Sequence, residues 1–319
     1  MRWFGLCLLT LYGCTPSGGT EPPQAGIIQL AGQIEDRRLT EASGLAASGR
    51  RDDLLWAHND GGAKALVHAL GVTGETIGQL RIDKVENRDW EDIATFMSDG
   101  VSYLVVAEIG DNDARHEASR LYVIEEPAIE LEDDRKIREP ADRVIEFEYP
   151  DGPRDAESLA VDATEGRAYV LSKRDLPPRL YSVPLDAAPG DRQTARLHGP
   201  VHSLPDPPRR DIELAGITKL WYWQPTAMDF SRDGRHAVIL TYEAIYLYRR
   251  NDDQTWYQAL NTEPFGLSIS RIPEAEAVAF AADGLSLFLT VEAKGGAPLF
   301  RIDIADALER MAEEKPETR

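Results

Sequence analysis

The sequence predicts an all-β chain folded as a β-propeller, five blades being the leading count and six the alternative, on three observations. Five segments align on one apolar position, each with polar or acidic residues two apart ahead of it. They are Glu41-Ala42-Ser43-Gly44-Leu45, Asp89-Trp90-Glu91-Asp92-Ile93, Asp155-Ala156-Glu157-Ser158-Leu159, Gln224-Pro225-Thr226-Ala227-Met228 and Glu274-Ala275-Glu276-Ala277-Val278. About 15 to 17 residues after the second of those columns, a β-rich run ends in another polar residue: His58 or Asp60, then Glu108, Lys173, Glu243 and Glu292. Between these marks short apolar runs alternate with turns rich in Asp, Gly, Ser and Arg, and a helical period arises only near the C-terminus. A repeat on that beat is the signature of small sheets arranged around a ring.

Residues 1–13 read as a secretory signal: Arg2 is followed by an apolar stretch of about ten residues, too short to span a bilayer. Leu11-Tyr12-Gly13-Cys14 is similar to a bacterial lipobox, in which the cysteine is lipidated and becomes the mature N-terminus. Thr15 stands where an aspartate would mark retention in the inner membrane. The expectation is therefore an exported protein anchored through Cys14, at the outer membrane and periplasm or the cell surface. Residues 14–26 read as a flexible tether. The two cysteines, Cys7 and Cys14, both lie in this leader region. The mature fold is then expected to have no disulfide, thiol nucleophile or zinc–thiolate site.

Residues 27–304 are assigned to the propeller. Second strands are expected at 54–57, 103–106, 168–171, 237–240 and 287–289, third strands at 65–70, 120–124, 179–183, 244–248 and 298–302. Fourth strands are expected at 75–82, 143–149, 194–202 and 265–269. The fifth unit has no fourth strand of its own, and residues 26–33 are expected to complete it, which closes the ring and removes its free edges. Ser231-Arg232-Asp233-Gly234 and Ala281-Ala282-Asp283-Gly284 carry the hairpin signal most clearly. The stretches 125–142 and 204–223 read as insertions. Residues 305–319 read as a short amphipathic helix followed by a charged tail.

The formal charge of −20 in a chain of 319 residues argues against a nucleic-acid partner, whose phosphates need a basic face, and against adsorption to anionic lipid. Membrane contact is expected only through the lipid anchor, and the protein is expected to be a monomer. Gly-x-Ser-x-Gly, His-Glu-x-x-His, Walker and Gly-x-Gly-x-x-Gly motifs are absent from the sequence.

In a propeller the start of each first strand lies beside the end of the second, so both sets of polar residues meet at one rim. Side chains two apart on a strand share a face, so both columns are expected to project into the opening. The expected metal-facing set is Glu41, Asp89, Glu91, Glu108, Asp155, Glu157, Glu276 and Glu292, with Glu243 and Glu274 on the same rim. Carboxylates so crowded must protonate, stay solvated, pair with Arg or Lys, or bind a hard cation. Pairing with Arg88, Arg154 or Lys173-Arg174 is one reading, Ca²⁺, which takes carboxylates in loose geometry, a second, and solvated, unrelated carboxylates a third. Glu108-Ile109-Gly110-Asp111-Asn112-Asp113 is a further candidate ligand loop, and Trp221-Tyr222-Trp223 either a stacking platform or inter-blade packing. Two functions stay open: a module binding a small molecule or protein at a metal-holding mouth, and a calcium-dependent hydrolase of phosphate esters or lactones. For hydrolysis the candidate bases are Glu91, Glu157 and His58, with Arg88, Arg154 and Lys173 contacting the anion.

Glu41 to Leu45, Asn87 to Ala94, Glu108 to Asn112 and Asp155 to Leu159 together resemble bacterial phytase-like propellers. That group includes the secreted proteins labelled esterase-like and the five-bladed group called SdiA-regulated. The resemblance covers about residues 38 to 300 and is strongest from 41 to 175. It implies a propeller, export and calcium in the channel, and it does not imply phytase activity. The clustered phosphate-binding basic residues of true calcium phytases have no one-to-one match here, and Gln224 and Thr226 depart from the acidic columns.

Overall fold

The computed structural model describes residues 28–129, 135–188, 190–205, 223–269 and 272–313. The expected signal, tether and Cys14, most of the 204–223 insertion with Trp221 and Tyr222, and the charged tail lie outside the described residues.

Five small sheets form a ring, the arrangement of a five-bladed propeller. From the channel outward, the first blade is Ala42–Ala47, Leu54–Asn59, Leu66–Gly71 and Thr76–Asp83. The second is Trp90–Ser98, Val101–Glu108, Ser119–Glu125 and Arg143–Glu148, and the third Ala156–Asp162, Arg167–Ser172, Arg179–Pro184 and Arg196–Pro200. The fourth is Ala227–Phe230, His236–Leu240, Ala244–Arg249 and Phe265–Ser268. The fifth is Ala275–Phe280, Ser286–Val291 and Pro298–Asp303, completed by Ile28–Gln33 from the other end of the chain. That last pairing is antiparallel, from Ile28 opposite Ile302 to Gln33 opposite Pro298, as the sequence predicts. The inner strands touch one another in a closed cycle and bound the channel.

Apolar side chains alternate between the two faces of each sheet and are buried between neighbouring blades. Trp56 and Trp90 fill the space between the first and second blades, Phe147 and Tyr181 that between the second and third, and Tyr169 and Trp256 that between the third and fourth. Each such side chain withdrawn from water contributes about 1.5–3 kcal/mol. The inner hairpins turn back at the far end of the channel. In the second blade Asp99 and Gly100, at φ 50° and 79°, make the two-residue turn between Ser98 and Val101.

The insertions do more than lengthen loops. Arg135–Pro140 adds a parallel strand outside Thr76–Asp83, although it follows the third strand of the next blade. The fourth strand expected at 194–202 divides: Gln193–Thr194 runs parallel to Arg143–Glu148, and only Arg196–Pro200 completes the third blade. Parallel pairs need a long connection, and in both cases three strands of the next blade supply it. A one-turn helix, Trp256–Ala259, capped reciprocally by Thr255 and Gln258, also went unanticipated. It lays Trp256 flat on Phe230, ring centroids 3.6 Å apart. The C-terminal helix spans Ala305–Glu313, and no helix among the described residues is long and apolar enough to cross a membrane.

Candidate functional site at the acidic mouth

The polar columns meet at one end of the channel, held there by a repeated backbone device. The amides of Asp60, Gly110, Lys173 and Glu292 donate to the carbonyls of Glu41, Asp89, Asp155 and Glu274, at 2.8, 3.3, 3.0 and 3.1 Å. Just inside this bond four of the five inner strands carry a β-bulge. The extra residue is Ser43, Glu91, Glu157 or Glu276, the second polar column. A bulge leaves one residue out of the ladder and re-aims its side chain, and bulges are common beside functional sites. Simple alternation therefore does not describe these positions. The fourth blade has no bulge there: Thr226 donates its amide to Leu240 at 2.9 Å and its hydroxyl to the Ala275 carbonyl at 3.2 Å.

Two overlapping groups of carboxylates result. Oxygens of Asp60, Asp89 and Glu91 lie within 4.8 Å of one another, and so do oxygens of Glu91, Asp155 and Glu157. Glu91, Asp155 and Glu157 are buried; Asp60 and Asp89 are partly buried. Burial, then Glu157, Asp60, Asp89 and Asp155, push the Glu91 carboxyl well above the usual range. Burial and the Asp60 and Asp155 charges push Asp89 up to about 6. Burial also raises Glu157 despite the opposing Lys173 ammonium.

Positive charge is scarce. Lys173 is buried and bonded to Glu157, with its ammonium 5.8 Å from the Tyr242 ring centroid. Burial disfavours that ammonium, yet Glu157 and Glu276 outweigh it and hold its pKa above the ordinary value. Tyr242 in turn bonds Glu276, whose carboxyl burial raises to about 7. Arg174 Nε sits 2.7 Å from Asp155 Oδ2 as an ion pair, but its N–H does not point at that buried oxygen, which accepts no hydrogen bond among the described residues. Glu91 accepts a long 3.4 Å contact from Ser43 Oγ, whose shorter 2.6 Å bond goes to the Glu91 carbonyl.

Glycines make the crowding possible. A Cβ at Gly110 would run into Glu91 Oε1 and stand 2.6 Å from Asp89 Oδ2; one at Gly61 would run into Asp89 Oδ1. Asn87 fixes the first blade against the second, donating to the Asn59 and Asp60 carbonyls at 3.1 and 2.9 Å and accepting from the Trp90 amide at 3.0 Å.

Several predicted residues sit elsewhere. Glu108 is fully buried against Arg120 at 3.1 Å and Arg88 at 3.5 Å, outside both carboxylate groups. Arg88 is thereby committed to the flank of the second blade. Arg154 likewise turns from the mouth to Asp151 and Asp175, both at 2.7 Å, and lies over the Tyr149 and Tyr181 rings. Arg88 and Arg154 are corrected because a residue adjacent to the column in sequence points the opposite way on an extended chain, and Glu108 because it pairs directly opposite Trp90 and so shares that residue's face. Glu41 and Glu274 are exposed at the rim, and Glu292 is partly buried there, raised by burial and by Asp60 and Glu41. His58 is sealed between the first two blades, edge-on to Trp90, with Nδ1 3.0 Å from the Asn59 carbonyl. Burial lowers it to about 4, and it does not face the opening, so the reading of His58 as a base is corrected. In the loop after Glu108, Asp111 accepts the Arg115 and His116 amides at 2.8 and 2.7 Å, bracing its own turn. Asp60 and Tyr242 are the mouth residues that sequence reasoning left out of the ligand set. Asp60 was legible as the last polar residue of its strand; Tyr242 carried no signal.

Comparison of the sequence with protein-family models and with curated proteins returns no match.

Proposed function

We propose that the protein is an exported, Cys14-anchored propeller whose acidic mouth holds Ca²⁺ and, with it, binds a small-molecule or protein ligand. The N-terminal sequence and the resemblance to phytase-like propellers point the same way. The observation that carries the reading is the pair of carboxylate groups sharing Glu91, with oxygens within 4.8 Å. Ca–O distances of about 2.3–2.6 Å put oxygens on opposite sides of one ion about 5 Å apart, so either group spans a single Ca²⁺. Mg²⁺, which demands a tight octahedron at about 2.0–2.1 Å, suits these loosely spaced side chains less. Buried carboxylates without counter-charge are costly, and a cation relieves that cost.

The test is thermal melting of the purified chain after EDTA treatment and then with millimolar Ca²⁺, the range to which extracellular sites are tuned. Saturation at a hundredfold over Kd adds about 2.7 kcal/mol, a clear rise in Tm. Glu91→Gln removes one ligand from both groups and abolishes the rise. It also stabilises the calcium-free protein, because it deletes a buried charge that repels its neighbours. A wild-type Tm indifferent to calcium sinks the proposal.

A calcium-dependent hydrolase of phosphate esters or lactones is the second reading, favoured by Lys173, a buried cation beside the carboxylates and suited to an anionic group. The metal would polarise a substrate oxygen or acidify a water, with Glu91 or Glu157 as base. Calcium-dependent turnover that Lys173→Met abolishes supports it; a silent ester and lactone panel leaves binding as the function.

A further inference from the structure

The channel has a second mouth, where the inner strands end, and its chemistry is unlike that of the first. A cavity of about 160 Å³ opens there, walled by residues from all five inner strands. Phe96, Phe230 and Phe280 are almost buried and give the wall its aromatic character, with Val161 and Thr95 beside them. Into this wall the fourth blade places one partly exposed carboxylate, Asp229. Its Oδ1 accepts the Phe230 amide at 2.8 Å and its Oδ2 the Phe280 amide at 2.9 Å. An ionised carboxylate has about four acceptor positions, so each oxygen keeps a free lone pair.

No basic side chain forms an ion pair with Asp229 among the described residues. Arg232, which also lines the cavity, is bonded to the Ser48 carbonyl and lies 3.5 Å from Asp52. Asp162, on the same wall, already has Arg250 at 2.9 Å. Burial pushes the Asp229 carboxyl up to about 7 against the opposing Phe280 and Phe230 amides and the more distant Arg232 charge, which makes no ion pair with it.

We propose that this cavity binds a small organic ammonium, its hydrocarbon body about the size of one benzene ring and its charge paired with Asp229. Apolar cavities of about 150 Å³ accept benzene. The aromatic wall covers the hydrocarbon and favours a cation over its ring faces. The ammonium donates to the free Asp229 lone pairs and supplies the missing charge. An anion is repelled, and a neutral ring leaves the carboxylate desolvated without a partner.

Benzylammonium and benzyl alcohol, a charged and a neutral probe of matching shape, separate these cases when titrated calorimetrically into the full chain in EDTA. The acidic mouth also attracts ammonium ions, so variants must locate the binding. Benzylammonium is expected to bind at least tenfold tighter than benzyl alcohol. Asp229→Asn erases that preference, and Glu91→Gln leaves it unchanged. Thr95→Leu narrows the cavity without touching the carboxylate and weakens both probes, so the answer does not hang on how well Asp229→Asn folds. Equal affinity for the two probes, no binding of either, or ammonium binding that Glu91→Gln removes while Thr95→Leu and Asp229→Asn retain it overturns the proposal.

Discussion

Glu91 and Asp92 are consecutive in the chain and both buried, yet the fold treats their charges in opposite ways. Asp92 Oδ1 accepts the Ile93 amide at 2.9 Å, and Oδ2 accepts those of Leu159 at 2.8 Å and Met228 at 3.4 Å, so one carboxylate braces the second, third and fourth blades across the channel. Glu91 faces Asp60, Asp89, Asp155 and Glu157 and takes one long contact from Ser43. Burial raises both carboxyls, but backbone amides oppose it at Asp92, whereas other carboxylates reinforce it at Glu91. Burial of an acid is therefore no guide to its role here. What decides is whether backbone amides around it are committed to it: Asp92 is bonded to three of them, whereas Glu91, which among the described residues takes only the long Ser43 contact, is the acid to which the proposed function gives a cation.

The largest effect that sharpens this contrast is expected at the braced residue. Asp92→Ala leaves the Leu159 and Met228 amides without an acceptor at the centre of the ring, and each buried unpaired donor costs about 1–3 kcal/mol. Denaturant unfolding should show a loss of about 3–5 kcal/mol, with the same loss in EDTA and in calcium. Asp92→Asn keeps an acceptor oxygen and should lose much less. A Asp92→Ala protein within about 1 kcal/mol of wild type would mean that the inner strands need no such brace.

The mouth predicts a pH dependence of the opposite kind. Glu276 is raised from 4.5 to about 7 and Asp89 from 3.8 to about 6. An acid whose folded pKa is raised binds its proton more tightly in the native state. Its contribution is complete below the unfolded value and is lost as pH rises through the folded one. The calcium-free protein should therefore lose stability between about pH 4 and 7, each group adding a slope of at most about 1.4 kcal/mol per pH unit. Saturating calcium should flatten the part of that decline that belongs to the mouth. Asp229, also raised to about 7 but at the other end of the channel, should keep its share. Melting curves at matched ionic strength with and without calcium read the difference; parallel declines would separate the mouth acids from any cation site.

Much of this was legible because propeller repeats write their geometry into spacing. The distance from each second column to the end of the next strand fixes a hairpin, and the hairpin fixes that both ends share a rim. The missing fourth strand of the last unit likewise forced closure by Ile28–Gln33. What could not be read was parity inside the rim. Adjacency in sequence suggested that Arg88 and Arg154 would reach the opening alongside Asp89 and Asp155, but a neighbour in an extended chain points away, and both arginines are spent on the blade flanks. The bulges at Ser43, Glu91, Glu157 and Glu276 were invisible for a related reason. An extra residue in a ladder changes no composition, and only the partner strand reveals it. Asp92 was passed over because its role depends on amides of Leu159 and Met228, distant in sequence and brought near only by the closed ring.

The smallest expected effect tests whether crowding at the mouth is itself functional. Gly110 has an ordinary φ, so alanine there brings no backbone strain, only a methyl group driven against Glu91 and Asp89. Gly62 is its counterpart: at φ 78° alanine is strained, but the added Cβ meets nothing within 4 Å. Overpacking costs about 1–3 kcal/mol, and alanine at positive φ costs about 1 kcal/mol, so both variants should be modestly and comparably destabilised. They should part company in calcium affinity. Gly110→Ala pushes apart two carboxylates that converge on one ion in the proposed calcium site and is expected to weaken binding about tenfold, which is about 1.4 kcal/mol. Gly62→Ala leaves those carboxylates where they are and should bind as wild type. Calorimetric titration of both variants decides it: equal calcium affinity would mean that the tight fit of Gly110 against the acids serves packing alone.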